Sequence, residues 1–338
     1  MKYTIVFVPL LLLFSGCGQP ADPSDSESPG DERSATPVSV VVTSYPLFAM
    51  AQEIAGNALT VHYPIPDTVT SPAWKLTTVD ISLLQNADAV VMNGAGYEPW
   101  ANRISLPRSR VVRTSVGFED QLQYAAGAVT HQHGPSGAAS GGTVIPITWL
   151  DPTLAEAQLR QVEQVLCRLA PEKAAEISER TTVLADSLQQ LSDDIEQLRV
   201  RTSADKMTVL CDRTDYAYLL ARLNWQCRLL PDLSDTVAGP AGGERAGGSP
   251  AGAEPATGEP AADTERRATI PAPSPENEDV RICLLASTDG RPDPKAAAVR
   301  PGLTIVYLDL CEQEEPGRTL IDRLQANLTR LDQAIATP

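Results

Sequence analysis

The chain has 338 residues, a formal net charge of −16 at pH 7 and a sequence pI of about 4.6. Such an acidic surface repels nucleic acid, and the sequence has no basic stripe that would offset the charge. Nucleic acid is therefore excluded as a partner. Roughly 250 residues have a composition that can fold, which suits two domains of ordinary size.

The first residues have the layout of an export signal. Lys2 is followed by an almost wholly apolar run, Ile5 to Phe14, and then by small residues before Cys17. This pattern is typical of a secretory signal peptide, and a cysteine after Ser-Gly resembles the bacterial lipobox, whose thiol is lipidated. The apolar run is shorter than the about 20 residues that span a bilayer. We predict a lipoprotein signal peptide over residues 1–17 and a lipid anchor at Cys17; the alternatives are an ordinary signal peptide or a short membrane anchor.

The predicted anchor sets the compartment and the first partner. A chain lipidated at Cys17 is exported and tethered to a bacterial membrane, facing the periplasm or the cell exterior, with the lipid bilayer as its contact through that residue. Residues 18–37 are rich in Pro, Ser, Asp and Glu and have no apolar periodicity. We predict that they form a disordered spacer.

Residues 38–170 alternate short β-branched runs with helical patterns, which favours a parallel sheet flanked by helices. The predicted strands are Val38–Thr43, Leu59–Tyr63, Ala89–Met92 and Arg110–Thr114. The predicted helices are Tyr45–Ala55, Val79–Leu84 and Asp151–Leu169. Residues 125–145 are predicted to be a loop of this N-terminal α/β lobe.

A long helix is predicted next, over residues 171–203. From Glu172 to Thr202 the chain has no proline or glycine, and its apolar residues fall on a near-heptad stripe. A helix of about 30 residues is roughly 45 Å long. A coiled coil is the alternative, but the stripe lies between two α/β halves, so a helix that bridges two lobes fits better.

Residues 204–338 repeat the alternation as a C-terminal α/β lobe. The predicted strands are Met207–Cys211, Trp225–Leu230, Val280–Leu285 and Leu303–Leu310, and the predicted helices are Tyr216–Leu223 and Leu320–Ala336. Residues 234–278 are dominated by Ala, Gly, Pro, Glu and Ser, which predicts a disordered insertion. The fold class is therefore α/β, with two lobes of parallel sheet bridged by one long helix.

The cysteines leave their pairing open. Six are present, and setting aside Cys17 leaves five: Cys167, Cys211, Cys227, Cys283 and Cys311. In an oxidising compartment disulfides can form, and an odd number leaves at least one thiol without an internal partner. The alternative is that they are small buried apolar residues. No Cys/His spacing predicts a zinc site.

Several motifs, in order and spacing, resemble the solute-binding lipoproteins of bacterial zinc and manganese ABC importers. They are Thr43–Leu47, the Asn-Gly-Ala-Gly-Tyr-Glu-Pro-Trp block Asn93–Trp100, His131–Gly134, the Trp-Leu-Asp-Pro motif Trp149–Pro152 and Asn327–Leu331. The resemblance implies two lobes joined by a long helix, a solute in the cleft between them and an ABC permease as partner. It makes zinc or manganese the candidate ligand, and the sequence assigns no cofactor with certainty.

The residues at the family's metal-ligand positions are not the usual histidines and carboxylate. This sequence has Ala73, Ile147, Arg213 and Ala286 there. Alanine and isoleucine cannot ligate a metal through their side chains, and arginine opposes a cation. We therefore expect ordinary metal coordination to be lost or altered.

The remaining cleft candidates are Trp74, Lys75, Trp149 and Asp215. Together with the arginine, the aromatic faces and the lysine favour an organic anion or a metal chelate. Alternatively, the two tryptophans pack the core between the lobes and the charged residues form salt bridges. Asp215 could instead ligate a metal, although no set of three ligands has convincing spacing.

The chain has only three histidines, and His131 and His133 lie on a Gly/Ser-rich stretch. Imidazoles two residues apart could bind a metal weakly; alternatively they are a solvated remnant of a metal-gathering loop.

These observations favour a membrane-tethered solute-binding protein that binds in the inter-lobe cleft. The alternative is a derived lipoprotein that acts through protein–protein contacts without solute transport. No nucleophile motif, phosphate loop or pair of acids in a credible setting supports an enzyme, so we predict that the protein is not one.

Overall fold

The computed structural model describes residues 38–125, 143–202, 207–230, 282–287 and 303–336. The predicted signal peptide, spacer, insertion and most of the predicted 125–145 loop lie outside the described residues, as do Cys17, His131 and His133. Among the helices within those ranges, none is long and apolar enough to cross a membrane.

The first lobe contains a four-stranded parallel sheet in the order β2-β1-β3-β4. Its strands are β1 (Ser39–Val42), β2 (Thr60–His62), β3 (Ala89–Met92) and β4 (Val111–Arg113), and its helices are α1 (Tyr45–Ala55), α2 (Thr78–Asn86) and α3 (Pro152–Leu169). Val40 and Val42 belong to the core that includes α1 and α3, whereas Val41 faces a second core beside α2. Burial on both faces explains why this central strand is a continuous run of β-branched residues.

Local capping sets the helix boundaries of this lobe. The side chain of Thr77 accepts a hydrogen bond from the backbone N–H of Asp80, whose carboxylate accepts one from the Thr77 backbone, so α2 begins one residue before the predicted start. Asp151 accepts from the backbone N–H of Thr153 at 2.9 Å and caps α3, with Pro152 in its first turn.

The second lobe repeats the architecture with strand order β6-β5-β7-β8, again all parallel. The elements are β5 (Thr208–Cys211), β6 (Gln226–Leu229), β7 (Ile282–Ser287), β8 (Thr304–Asp309), α5 (Ala217–Leu223) and α6 (Leu320–Ala336). Among the described strands, β6 lies at one end of this sheet, and its four residues are all exposed.

The long helix is present as α4 (Ala174–Thr202), preceded by a 3-10 turn at Pro171–Lys173. It contacts α1 and α3 of the first lobe and α5 and α6 of the second lobe. Its buried apolar residues include the predicted stripe, Ile177, Leu184, Leu188, Leu191, Ile195 and Leu198. One buried cluster runs from β1 and β3 through α3 and α4 to β5, β7 and β8. The predicted fold class, two parallel-sheet lobes with one long helix, is confirmed.

Candidate functional site

The candidate cleft lies where strands of both lobes end. The chain leaves β3 at Asn93, β5 at Asp212 and β8 at Leu310. Because open parallel sheets bind ligands beyond the carboxyl ends of their strands, this edge is the expected ligand site.

Side chains of the first lobe reach the second lobe at this edge. The Tyr97 hydroxyl donates to Glu312 Oε1 at 2.9 Å, and Trp149 Nε1 donates to the Leu310 carbonyl oxygen at 2.7 Å. The Tyr97 and Trp149 rings meet edge to face, with centroids 5.1 Å apart. The Asn93–Trp100 and Trp149–Pro152 motifs therefore meet each other and the loop after β8.

A strained turn directs Tyr97 across the cleft. Gly94, Ala95 and Gly96 have φ values of +76°, +50° and +80°. A Cβ at position 94 would lie 2.3 Å from the Ser115 hydroxyl oxygen, so only glycine fits there.

Glu98 holds this turn from inside the lobe. Its Oε1 accepts from the Thr43 hydroxyl at 2.9 Å and the Asn93 backbone N–H at 2.8 Å, and its Oε2 accepts from the Gly94 N–H at 3.0 Å. Desolvation by burial raises the pKa of Glu98 to about 7, against these three hydrogen bonds, which lower it. The carboxyl therefore titrates near neutral pH in the folded protein.

A buried polar network joins the turn to the segment that carries Trp149. Gln158 Nε2 donates to Asn93 Oδ1 at 2.8 Å and to Thr114 Oγ1 at 2.7 Å, while Thr148 Oγ1 donates to Gln158 Oε1 at 3.1 Å. Asn93 Nδ2 donates to the Pro146 carbonyl oxygen at 3.0 Å. Such fully hydrogen-bonded networks specify one geometry, so the Asn93 turn and the Trp149 segment are held together.

On the second lobe, Asp212 is the centre of a charged cluster. Its side chain is 0% exposed and accepts from the Ala286 N–H at 3.2 Å, the Tyr216 hydroxyl at 2.8 Å and Arg213 Nε at 3.2 Å. A second carboxylate, Asp215, lies with its Oδ2 3.7 Å from Arg213 Nη1. The guanidinium therefore lies between two carboxylates of its own loop.

Burial makes the carboxyl groups of the cleft harder to ionise. It raises the pKa of Glu312, against the Tyr97 hydrogen bond and the Arg213 charge, and it raises the pKa of Asp215, against Arg213. Burial alone would lower the pKa of Arg213, but Asp212, Tyr216 and Asp215 raise it overall. Burial thus acts against the charged form of both acids, while the neighbouring carboxylates favour the charged form of Arg213.

Several predicted cleft residues lie near one another. Arg213 and Asp215 form the charged cluster, and Ala286 joins it through its backbone N–H on Asp212. Ile147 and Trp149 are buried in the core shared by the two lobes.

The structure does not bring Trp74 together with Trp149. Trp74 packs edge to face on Trp100, with centroids 5.2 Å apart, in the separate core beside α2. Its neighbours Ala73 and Lys75 are exposed. The physical reason is local. Trp74 directly follows the Ser71–Ala73 3-10 turn, and its ring packs on Trp100 of the same lobe.

The described residues do not form the histidine and carboxylate set that zinc coordination needs. Within those ranges, no three His, Cys, Asp or Glu side chains come together closely enough to hold a metal ion. His131 and His133 are not among them.

Tyr97 and Glu312 meet at the candidate cleft, and the sequence patterns alone did not assign either of them to the site. Tyr97 lies inside the Asn93–Trp100 motif, and Glu312 follows the end of β8 by three residues. The rule that ligands lie beyond strand carboxyl ends is the signal that could have found Glu312.

Comparisons with known proteins place the chain among metal-related solute-binding proteins. Residues 40–242 match the ZnuA family, described as zinc-uptake complex component A, periplasmic. The high-affinity zinc uptake system protein ZnuA of Bacillus subtilis (strain 168) is 22% identical over 218 residues, covering 63% of this chain and 66% of that protein. The match thus spans just under two thirds of that relative's length.

Solved structures share the fold. The solute-binding protein FpvC of Pseudomonas aeruginosa, in complex with Mn²⁺, has a TM-score of 0.62 and 19% identity, covering 89% of this chain and 99% of that one. A mutant of the laminin-binding adhesin Lmb of Streptococcus agalactiae has a TM-score of 0.61 and 19% identity, covering 88% and 99%.

Proposed function

Because the chain belongs to the family of periplasmic zinc-uptake component A proteins, we propose that it is the solute-binding protein of a metal-importing ABC transporter. Cys17 tethers it to the membrane, and its partner is the permease of that importer. The cleft between the lobes receives the solute. The role of the chain is solute binding rather than catalysis.

We further infer that this cleft does not hold a bare zinc or manganese ion in the family's usual way. The observation that carries this inference is the position of Arg213 between Asp212 and Asp215, at distances of 3.2 and 3.7 Å. The guanidinium occupies carboxylates that would otherwise coordinate a bare cation, and its N–H groups can donate to the anionic chelator of a bound metal. A metal chelate is therefore the proposed solute, with Arg213 as its anion-binding group.

Calorimetry on the soluble chain from residue 18 onward tests both parts. Zinc or manganese ions alone should show no stoichiometric submicromolar binding, whereas their citrate complexes should bind. Arg213→Gln should weaken the binding of the complex at least tenfold, because the loss of one charge-assisted hydrogen bond costs about 1.5–3 kcal/mol. Arg199→Gln is the matched control, since Arg199 is similarly exposed but lies on α4 in a pair with Glu196.

Stoichiometric submicromolar binding of either bare ion would contradict the altered coordination. If neither ions nor complexes bind, the solute-binding role itself fails for these ligands. Isolation of the full-length, membrane-extracted protein with its permease supports the importer assignment independently of the ligand.

A second candidate function is action through protein contacts. One observation favours it: the Tyr97–Glu312 and Trp149–Leu310 hydrogen bonds join the two lobes directly, protein to protein, at the candidate cleft. A structural relative is named as a laminin-binding adhesin. Absence of any bound solute, combined with a stable complex with a second protein in pull-downs from the native envelope, supports this alternative.

A further inference from the structure

The segment that forms and precedes β4 carries a local concentration of arginine. Residues 99–118 contain Arg103, Arg108, Arg110 and Arg113 and no lysine, aspartate or glutamate. All four arginines are exposed. Four positive charges do not offset the net charge of −16, but here they stand together without an acidic residue among them.

Two of these arginines line a groove beside β4. Arg108 and Arg113 border a cavity of about 580 Å³ together with the apolar residues Ile104, Leu106 and Val111. We call these five residues the arginine groove. Within the part of the chain that the structure describes, none of the four arginines forms an ion pair with a carboxylate. The groove therefore offers guanidinium donors beside an apolar wall, which suits an anion that also carries carbon atoms.

The chain enters the first lobe close to this cluster. Arg108 and Arg110 precede β4, so they lie at the amino end of the parallel sheet, whereas the candidate cleft lies at the carboxyl ends of the strands. Arg110 Nη1 donates to the Ala87 carbonyl oxygen at 3.2 Å, and the next residue, Asp88, accepts from the Ser39 backbone N–H at 2.9 Å. The arginines thus lie near the point where residues 18–38, which follow the proposed anchor, join the fold.

A tether keeps this end of the lobe near lipid. Residues 18–38, fully extended, span at most about 70 Å, so the membrane is the anionic surface that the arginines meet at the highest effective concentration. Charges are screened over about 8 Å at physiological ionic strength. The four local charges, rather than the net charge of −16, therefore decide what this surface attracts.

We propose that the arginine groove binds the phosphate groups of anionic phospholipids in the membrane to which the chain is tethered. Arg108 and Arg113 donate to phosphate oxygens in the groove, and Arg103 and Arg110 add positive charge beside it. The contact holds the first lobe at the bilayer in which the proposed permease lies. This inference rests on the proposed tether at Cys17, and it does not depend on which solute the cleft binds.

Vesicle flotation tests the groove without the anchor. The chain from residue 18 onward, which keeps every described residue, is mixed with vesicles of phosphatidylcholine and phosphatidylglycerol, or of phosphatidylcholine alone. We expect binding to the anionic vesicles that is lost at high salt, and at least tenfold weaker binding to the phosphatidylcholine vesicles. Because Cys17 and the solute are both absent, the result is independent of lipidation and of solute binding.

A double variant tests the residues. Arg108→Gln/Arg110→Gln should weaken binding to the anionic vesicles roughly 20-fold, at about fivefold for each arginine. The matched control is Arg199→Gln/Arg201→Gln, which removes the same charge from α4, where these arginines pair with Glu196 and Asp332. The control should change vesicle binding less than about twofold, because its charges lie outside the proposed contact.

Three results would overturn the proposal. The first is no binding of the wild-type chain to the anionic vesicles, and the second is an equal loss in the two double variants. The third is binding of free glycerol phosphate in calorimetry without binding to vesicles, which would make the groove a site for small anions. The dependence of wild-type binding on salt and on lipid composition stands even if a variant fails to fold. Calorimetry with the metal citrate complexes reports separately on the solute-binding role.

Discussion

At the scale of single residues, the fold depends on charged groups that are buried with specific partners. Arg323 on α6 is 5% exposed and contacts Asp309 at 2.6 and 2.8 Å. Its guanidinium also lies 5.4 Å from the centroid of the Tyr45 ring, which belongs to the first lobe. Disrupting a buried ion pair of this kind lowers stability most when only one of the two partners is removed, because the other charge then stays without a partner.

Arg323→Ala should therefore destabilise the protein by about 3–5 kcal/mol, because the Asp309 side chain, which is only 14% exposed, loses its counter-charge. The double variant Asp309→Asn/Arg323→Met should recover part of this loss. Urea unfolding measures both. Arg160→Ala is the control: that arginine is 42% exposed beside Glu156, so the change should cost less than about 1 kcal/mol. Equal costs for Arg323 and Arg160 would disprove the importance of burial.

Glu98 makes stability depend on pH near neutrality. Its pKa is raised from 4.5 to about 7 by burial, so the folded state holds this proton more tightly than the unfolded state. The folded state is consequently favoured below pH 4.5 and loses that advantage as pH rises through 7, in total on the order of 3 kcal/mol.

Glu98→Gln isolates this effect, because the amide does not titrate. At low pH the wild type should be the more stable protein, since the amide N–H₂ of glutamine faces backbone donors. The difference in unfolding free energy should shrink between pH 5 and pH 8. Urea titrations at several pH values measure it, and a constant or widening gap is incompatible with a raised pKa.

At the scale of elements, α4 does more than span the lobes: it also terminates α1. Arg180 Nε donates to the Ile54 carbonyl oxygen at 2.7 Å, and its Nη2 donates to that of Ala55 at 2.9 Å. Gly56 follows with φ of +55°, and a Cβ there would lie 3.2 Å from Arg180 Cζ. The end of one helix is thus satisfied by the side chain of another.

Gly56→Ala should cost about 1–2 kcal/mol, because an L-residue is strained at this φ and its Cβ crowds Arg180. The measurement is the urea midpoint at constant m-value. Gly117→Ala serves as the control, since a Cβ there meets nothing within 4 Å and the backbone needs no positive φ. A loss at Gly117 as large as that at Gly56 would show that the backbone argument is wrong.

Part of this architecture can be predicted from the sequence and part cannot. β-Branched runs and apolar stripes are local patterns, so strands such as Val40–Val42 and the face of α4 follow from them. The contact of Asp212 with Ala286 depends on the pairing of β5 with β7, which are far apart in the chain. Likewise, Trp74 directly follows one 3-10 turn and Trp149 lies within another, and only tertiary packing assigns them to different cores.

At the scale of the whole molecule, the two lobes share one buried core. The same cluster contains Val42 of the first sheet, Leu188 of α4 and Leu284 of the second sheet. Neither lobe can therefore unfold without exposing apolar surface of the other.

We accordingly expect one cooperative unfolding transition. Trp100 reports on the first lobe and Trp225 on the second, so tryptophan fluorescence of single-tryptophan variants retaining one or the other should give the same urea midpoint as far-UV circular dichroism. Separate midpoints would mean that the lobes are independent folding units.

The turn at Gly94–Gly96 also determines which mutations the gene can carry there. Every missense change at codon 94 places a carbon atom 2.3 Å from the Ser115 hydroxyl oxygen at a φ of +76°, so the new residue must both strain the backbone and displace that side chain. A Cβ at position 96 meets no atom within 4 Å, so only the backbone limits it, and asparagine or aspartate can enter. The two glycines of this motif are therefore constrained differently. Substitution at position 94 depends on the side chain at position 115, whereas substitution at position 96 depends only on the conformation of its own backbone.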